Sequence, residues 1–100
     1  MAIEVTIEDL AQQLDKGAYV LDVREDDEYA SGHVPGAHHI PLGQLEARID
    51  EVEDGGRVWV ICRSGARSQK GADILFNNGV DAVSVAGGTM GWIDSGRPVE

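Results

Sequence analysis

Apolar positions along the chain follow two rhythms. Behind Thr6, with Asp9 three residues on, Ile7, Leu10, Ala11 and Leu14 fall at i, i+3, i+4 and i+7. That is the pattern of an N-capped amphipathic helix, and Gly17 ends it. The run AYVLDV (18–23) reads as a buried strand. The acids Glu25, Asp26, Asp27 and Glu28 open a short helix, where the helix dipole favours negative charge, and Gly32 stops it. The segment 33–37 is loop and 38–40 a short strand. Leu42, Leu45 and Ile49 predict a further helix closed by Asp54-Gly55-Gly56. In the strand 57–61, Val58 and Val60 share one face and Trp59 and Ile61 the other. Apolar residues on both faces mark a central strand of a parallel sheet. A helix from about 66 to 77 follows, capped by Asn78-Gly79, then a strand over 80–85. A short helix runs from the Gly87-Gly88 break through Trp92, and Gly96-Arg97-Pro98 ends it. Strands alternate with helices throughout, which predicts an α/β fold with a mostly parallel sheet. No repeat, linker or low-complexity tract interrupts it.

Composition narrows the class. One hundred residues suit a single domain, 1–100, with one core. No apolar run approaches the ~20 residues that span a bilayer. Met1-Ala2-Ile3-Glu4 lacks the basic and apolar regions of a secretory signal. A single cysteine excludes a disulfide framework within the chain and a Cys-rich zinc site, and points to a reducing cytoplasm. The net charge of −10 argues against nucleic acid and anionic membrane as partners. The charge is uneven, however. Residues 55–72 contain no acid and four bases, Arg57, Arg63, Arg67 and Lys70. Remote acids are screened beyond about 8–10 Å, so an anion at this segment would feel mainly the local arginines.

That segment also holds the only cysteine, in CRSGARSQK (62–70), directly after the strand 57–61. Open α/β sheets bind ligands beyond the carboxyl ends of their strands. Cys62 stands at such an end and just before a helix. There, free amides and the helix dipole favour a thiolate, and Gly65 allows a tight turn of inward-pointing N–H groups. The residue types fit a nucleophilic thiolate in an anion cradle. They also fit a buried cysteine at a strand end with two solvated arginines, and the local chemistry leaves both readings open.

Three motifs in order then resemble a single-domain rhodanese, a sulfurtransferase. Cys62-Arg63-Ser64-Gly65-Ala66-Arg67 matches that family's Cys-x-x-Gly-x-Arg loop. Leu21-Asp22-Val23-Arg24-Glu25 with Gly32-His33-Val34-Pro35-Gly36-Ala37 resembles its N-terminal signature. Gly87-Gly88-Thr89-Met90-Gly91-Trp92 with Gly96-Arg97-Pro98-Val99 resembles its C-terminal one. The likeness covers about residues 4–100. It implies a rhodanese-like α/β fold, a five-stranded, mostly parallel sheet flanked by helices on both faces. It also implies that Cys62 takes the outer sulfur of thiosulfate or another persulfidic donor and passes it to cyanide or, in a cell, to a thiol or protein acceptor. Residues Arg63, Ser64, Gly65, Ala66 and Arg67 would hold the persulfide, with no metal or organic cofactor. Tyrosine-phosphatase and arsenate-reductase loops are one residue longer. Here the residue six after Cys62 is Ser68, and Arg67 closes a cradle sized for sulfur. A non-catalytic protein-binding module and a redox sensor are the alternatives from other classes.

The remaining polar residues read as supports. Asp22 and Arg24 match the family's Asp-x-Arg and suggest a salt bridge at the strand end. His33 reads as a hydrogen-bonded loop residue and not a general base. His38 and His39 are adjacent, so on a strand they face opposite ways, which is poor geometry for one metal. Gly87-Gly88 reads as close backbone packing, Trp59 and Trp92 as core, and Glu25–Glu28 as a solvated helix start.

Overall fold

The computed structural model describes residues 1–53 and 55–100. The strands are β1 (Glu4–Val5), β2 (Tyr19–Asp22), β3 (His38–His39), β4 (Val58–Ile61) and β5 (Ala82–Val85). The helices are α1 (Ile7–Leu14), α2 (Asp26–Ala30), α3 (Ala66–Asn77) and α4 (Gly88–Asp94). The strands form one five-stranded sheet in the order β1-β5-β4-β2-β3, with every pairing parallel. The sequence predicts a mostly parallel sheet; each crossover here carries a helix or a helical turn, so no strand reverses.

The alternation read in β4 divides the core. Val58 and Val60 pack with Leu21, Val23, Leu45, Ala72 and Leu75 beneath α3. Trp59 and Ile61 pack on the other face with Leu10, Val20, Val34, Val85 and Trp92, beneath α1 and α4. Cys62 continues the Val58, Val60 parity and faces α3. The Thr6 hydroxyl accepts the Asp9 amide at 3.0 Å and the Asp9 carboxylate accepts the Thr6 amide at 3.1 Å, a complete capping box on α1.

The helix predicted over 42–49 is not formed. Two 3₁₀ turns, Leu42–Gln44 and Ile49–Glu51, take its place. Gly43 weakens a helix there, neither turn has a side-chain cap, and Arg48 at φ −115° and ψ 21° leaves helical geometry. Leu45 and Val52 still reach the core, so the apolar spacing recorded burial and not helical period. Asp54, expected to help close that helix, lies outside the described residues. No helix among the described residues is long and apolar enough to cross a membrane.

Candidate active site

β4 ends at Ile61 and α3 begins at Ala66, so Cys62 to Gly65 make the whole turn between a central strand and a helix N-terminus. Gly65 takes φ +123°, which an L side chain rarely adopts. This bend turns the Gly65 amide back onto the Cys62 sulfur, to which it donates at 3.1 Å. Ser68, in the first turn of α3, places its hydroxyl 3.4 Å from the same sulfur. Cys62 is buried, and burial opposes its ionisation. The Ser68 hydroxyl and the amides of Ser68, Gly65 and Ser64 outweigh that effect and hold the thiol below its ordinary value.

The loop is pinned from below by α4. Thr89 donates its amide to the Cys62 carbonyl at 2.8 Å, and Met90 donates to the Arg63 carbonyl at 3.0 Å. These two bonds satisfy the carbonyls at the start of the turn. They also bring Gly88 against the loop backbone. A Cβ at Gly88 would overlap the carbonyl oxygens of both Cys62 and Arg63, and its φ is +59°. The close packing expected of Gly87-Gly88 is therefore packing against the cysteine loop itself. Gly88→Ala is expected to lower unfolding free energy by about 3 kcal/mol, from steric overlap and strained backbone together. Denaturant melts test this, and a loss under about 1 kcal/mol would show that the loop yields easily.

Arg67 does not present a free guanidinium. It donates to both carboxylate oxygens of Glu28, at 2.6 and 2.8 Å. The acid-free stretch of the sequence thus receives an acid from α2, and Glu28 is not part of a solvated helix start. The Arg67 guanidinium holds the Glu28 carboxyl down to about 2, from a usual value near 4.5. A depressed carboxyl contributes stability that is complete above 4.5 and is lost as pH falls towards 2. Wild-type and Glu28→Gln stabilities are therefore expected to differ near neutrality and to converge in acid. Curves that stay parallel in urea melts down the pH scale would contradict this pairing.

Arg63 is exposed and makes no recorded side-chain ion pair among the described residues. It lines a cleft of about 270 Å³ with Arg24, Thr89 and Met90. The Thr89 hydroxyl is buried and has no hydrogen-bond partner among protein atoms of the described residues. Ala66 begins α3 on the solvent side of the loop.

The supports stand where the sequence suggests a strand-end salt bridge. Arg24 Nη2 donates to Asp22 Oδ2 at 2.8 Å and to the Gly32 carbonyl at 2.8 Å. Its Nε reaches Asp22 Oδ1 at 3.0 Å, and Asp22 is 0 % exposed. His33 stacks on Tyr29 with centroids 3.8 Å apart, and its Nδ1 lies 2.9 Å from the Tyr29 carbonyl oxygen. The other two histidines diverge, His38 stacking on Tyr19 and His39 on Tyr29. Among the described residues no group of three His, Cys, Asp or Glu side chains could hold a metal ion.

Residues 6–95 match the model of the rhodanese-like domain. The chain belongs to the rhodanese-like family. A solved rhodanese-related protein from Thermoplasma volcanium is 33 % identical, superposes with a TM-score of 0.92, and covers 98 % of this chain and 97 % of its own. The rhodanese-like domain protein from Staphylococcus aureus gives 32 % identity and a TM-score of 0.88, over 98 % of this chain and 96 % of that one. Two relatives come from Bacillus subtilis. "Putative sulfurtransferase YtwF" is 36 % identical over 86 % of this chain and 84 % of its own length. "Putative sulfur carrier protein YrkF" is 37 % identical over 89 % of this chain, and the chain spans half of that protein's length.

In this rhodanese-like domain Cys62 and Gly65 form the turn where the sequence expects it, while Arg67, expected in the cradle, has its guanidinium paired with Glu28. Sequence reasoning missed Ser68 and Glu28. Ser68 had a signal: it falls on the sheet-facing side of α3, at i, i+4 and i+7 with Ala72 and Leu75, where an apolar residue is expected. Glu28 had none, because its partner is 39 residues away.

Proposed function

We propose that this domain is a sulfurtransferase that works through a persulfide on Cys62. The thiolate attacks the outer sulfur of thiosulfate or a related persulfidic donor. The donor's sulfur–sulfur bond breaks, its electron pair leaves with sulfite from thiosulfate or with the thiolate from a persulfide, and Cys62 keeps one extra sulfur. A second nucleophile then attacks that sulfur and Cys62 leaves as a thiolate, a double displacement. The acceptor is a thiol, or cyanide in the test tube, and it comes from outside these 100 residues, which hold no second cysteine.

The observation that carries this reading is the amide of Gly65 donating to Sγ at 3.1 Å in a loop closed five residues after Cys62. The same cradle that favours a thiolate favours an anionic persulfide. Because Cys62 is 1 % exposed, a donor reaches it with a terminal sulfur atom and not with a bulky body. Arg63 supplies positive charge for an anionic donor, Ser64, Gly65 and Ala66 shape the cradle, and Arg67 fixes the loop to α2 through Glu28. Asp22, Arg24 and His33 support the surrounding loops. No metal or organic cofactor enters these steps. The names of the two Bacillus relatives, "Putative sulfurtransferase YtwF" and "Putative sulfur carrier protein YrkF", support the same chemistry, and a lone thiol suits a reducing cytoplasm.

Intact mass after incubation with thiosulfate tests the proposal. A gain of one sulfur atom is expected, reversed by adding a thiol or cyanide. A mass that never changes with any sulfane donor would reject it. A persulfide that forms but is passed to no small acceptor would instead favour the protein-binding alternative.

A further inference from the structure

β5 is buried on both faces, yet it holds a serine. Ala82, Val83 and Val85 are apolar, and Ser84 among them is 0 % exposed. Parity places Ser84 with Ala82, on the side that α3 covers. Its hydroxyl lies 2.9 Å from the Ser68 hydroxyl, the one side-chain partner recorded for it among the described residues. Ser68, also 0 % exposed, stands between three groups: Ser84, the Cys62 sulfur at 3.4 Å and the Gly65 carbonyl at 3.0 Å.

Counting hydrogens orders this cluster. A buried hydroxyl hydrogen needs an acceptor, and the recorded one for Ser84 is Ser68 Oγ. Ser68 then has its own hydrogen to give, to Gly65 or to the sulfur. The Gly65 carbonyl already accepts the Gln69 amide at 3.2 Å, so it stays satisfied if Ser68 turns away. The sulfur, once ionised, is the stronger acceptor.

We propose that Ser84 is a positioning residue for Cys62: its hydroxyl donates to Ser68 and thereby aims the Ser68 hydrogen at the sulfur. The two hydroxyls rotate and keep their own protons. The single proton released on ionisation goes to solvent, and no bond between heavy atoms changes. This inference rests on the thiolate in the function proposed above, but not on sulfur transfer. The charged groups around the loop are Arg63, Arg67 with its partner Glu28, the Asp22–Arg24 pair, and, from β1, Glu4, which is in register with Ser84 and lines a cleft with Met1, Ser64 and Gly65. β5 and residues 88–92 carry no ionisable side chain. Substituting Ser84 therefore removes a hydroxyl and leaves every local charge in place.

The test is the pH profile of Cys62 alkylation by iodoacetamide. Ser84→Ala is expected to raise its midpoint by about half to one pH unit, which is about 3–10-fold less thiolate below the midpoint. Ser68→Ala should raise it at least as far. The double variant should go no further than Ser68→Ala alone, because Ser84 acts through Ser68. If Ser84→Ala does not fold, Ser84→Thr and Ser84→Val offer one shape with and without the hydroxyl, and only the valine should raise the midpoint. An unmoved midpoint in Ser84→Ala, equal midpoints in the threonine and valine variants, or additive shifts in the double variant would each overturn the proposal. Alkylation reads the thiolate whether or not sulfur is transferred. Failure of the persulfide assay with these shifts intact would reject the function alone, and the converse would reject Ser84 alone.

Discussion

Cys62→Ser is expected to gain no sulfur from thiosulfate while keeping its fold. The variant has no other thiol to accept one. A serine hydroxyl at this position stays protonated near neutral pH, whereas the cradle holds the Cys62 thiol below its ordinary value. The size of the effect follows from covalent catalysis: without the nucleophile the double displacement has no first step, so turnover should fall to the uncatalysed background. Serine is close to cysteine in volume and keeps a polar atom near the Gly65 amide and the Ser68 hydroxyl, so the melting temperature should change little. Intact mass and a melting curve on the same sample read both. Persulfide formation in Cys62→Ser would move the chemistry away from this loop. A collapse of stability would make Cys62 chiefly a packing residue, the reading that the loop sequence alone leaves open.

Asp22→Ala is expected to cost about 3–5 kcal/mol, the largest stability loss of any substitution proposed for this chain. Asp22 is fully buried and accepts the Arg24 side chain through both oxygens, along with the Arg24 backbone amide at 3.0 Å. Removing it strands a guanidinium that is 6 % exposed. Against a typical total of about 5–15 kcal/mol, that is a large fraction of the stability of a domain this size. The melting temperature should fall by about 15 °C or more. Asp22→Ala combined with Arg24→Met should recover part of the loss, since no buried charge is then left alone. A single-variant loss near 1 kcal/mol, in the range of exposed pairs, would refute the buried-pair account. The consequence for function is positional. Arg24 ties the end of β2 to the Gly32 carbonyl just beyond α2, and α2 is the helix that carries Glu28 to Arg67.

The site and its surroundings were legible to different degrees. The positions of Cys62 and Gly65 could be read because they depend on chain-local facts: the end of an apolar strand and the bend before a helix. The helix expected over 42–49 failed for the converse reason. Leu42, Leu45 and Ile49 are spaced for burial, and burial alone cannot separate an α-helix from two tighter turns when Gly43 weakens the first of them. Arg67 read as a pocket cation because every nearby residue in the sequence is neutral or basic, and the acid that claims it arrives from another element.

By itself the sequence determined the alternation of strands and helices, the two-sided burial of β4, and the place of Cys62 at the strand end before α3. Hydrophobic period, capping and loop length are properties of neighbours along the chain. The tertiary structure alone decided which groups surround that cysteine. Strand order puts β5 beside β4, which brings Ser84 to Ser68 across 16 residues, and α2 meets α3 to join Glu28 to Arg67 across 39. These pairings come from parallel register and from the packing of helices on the sheet, and no local pattern of residues encodes either.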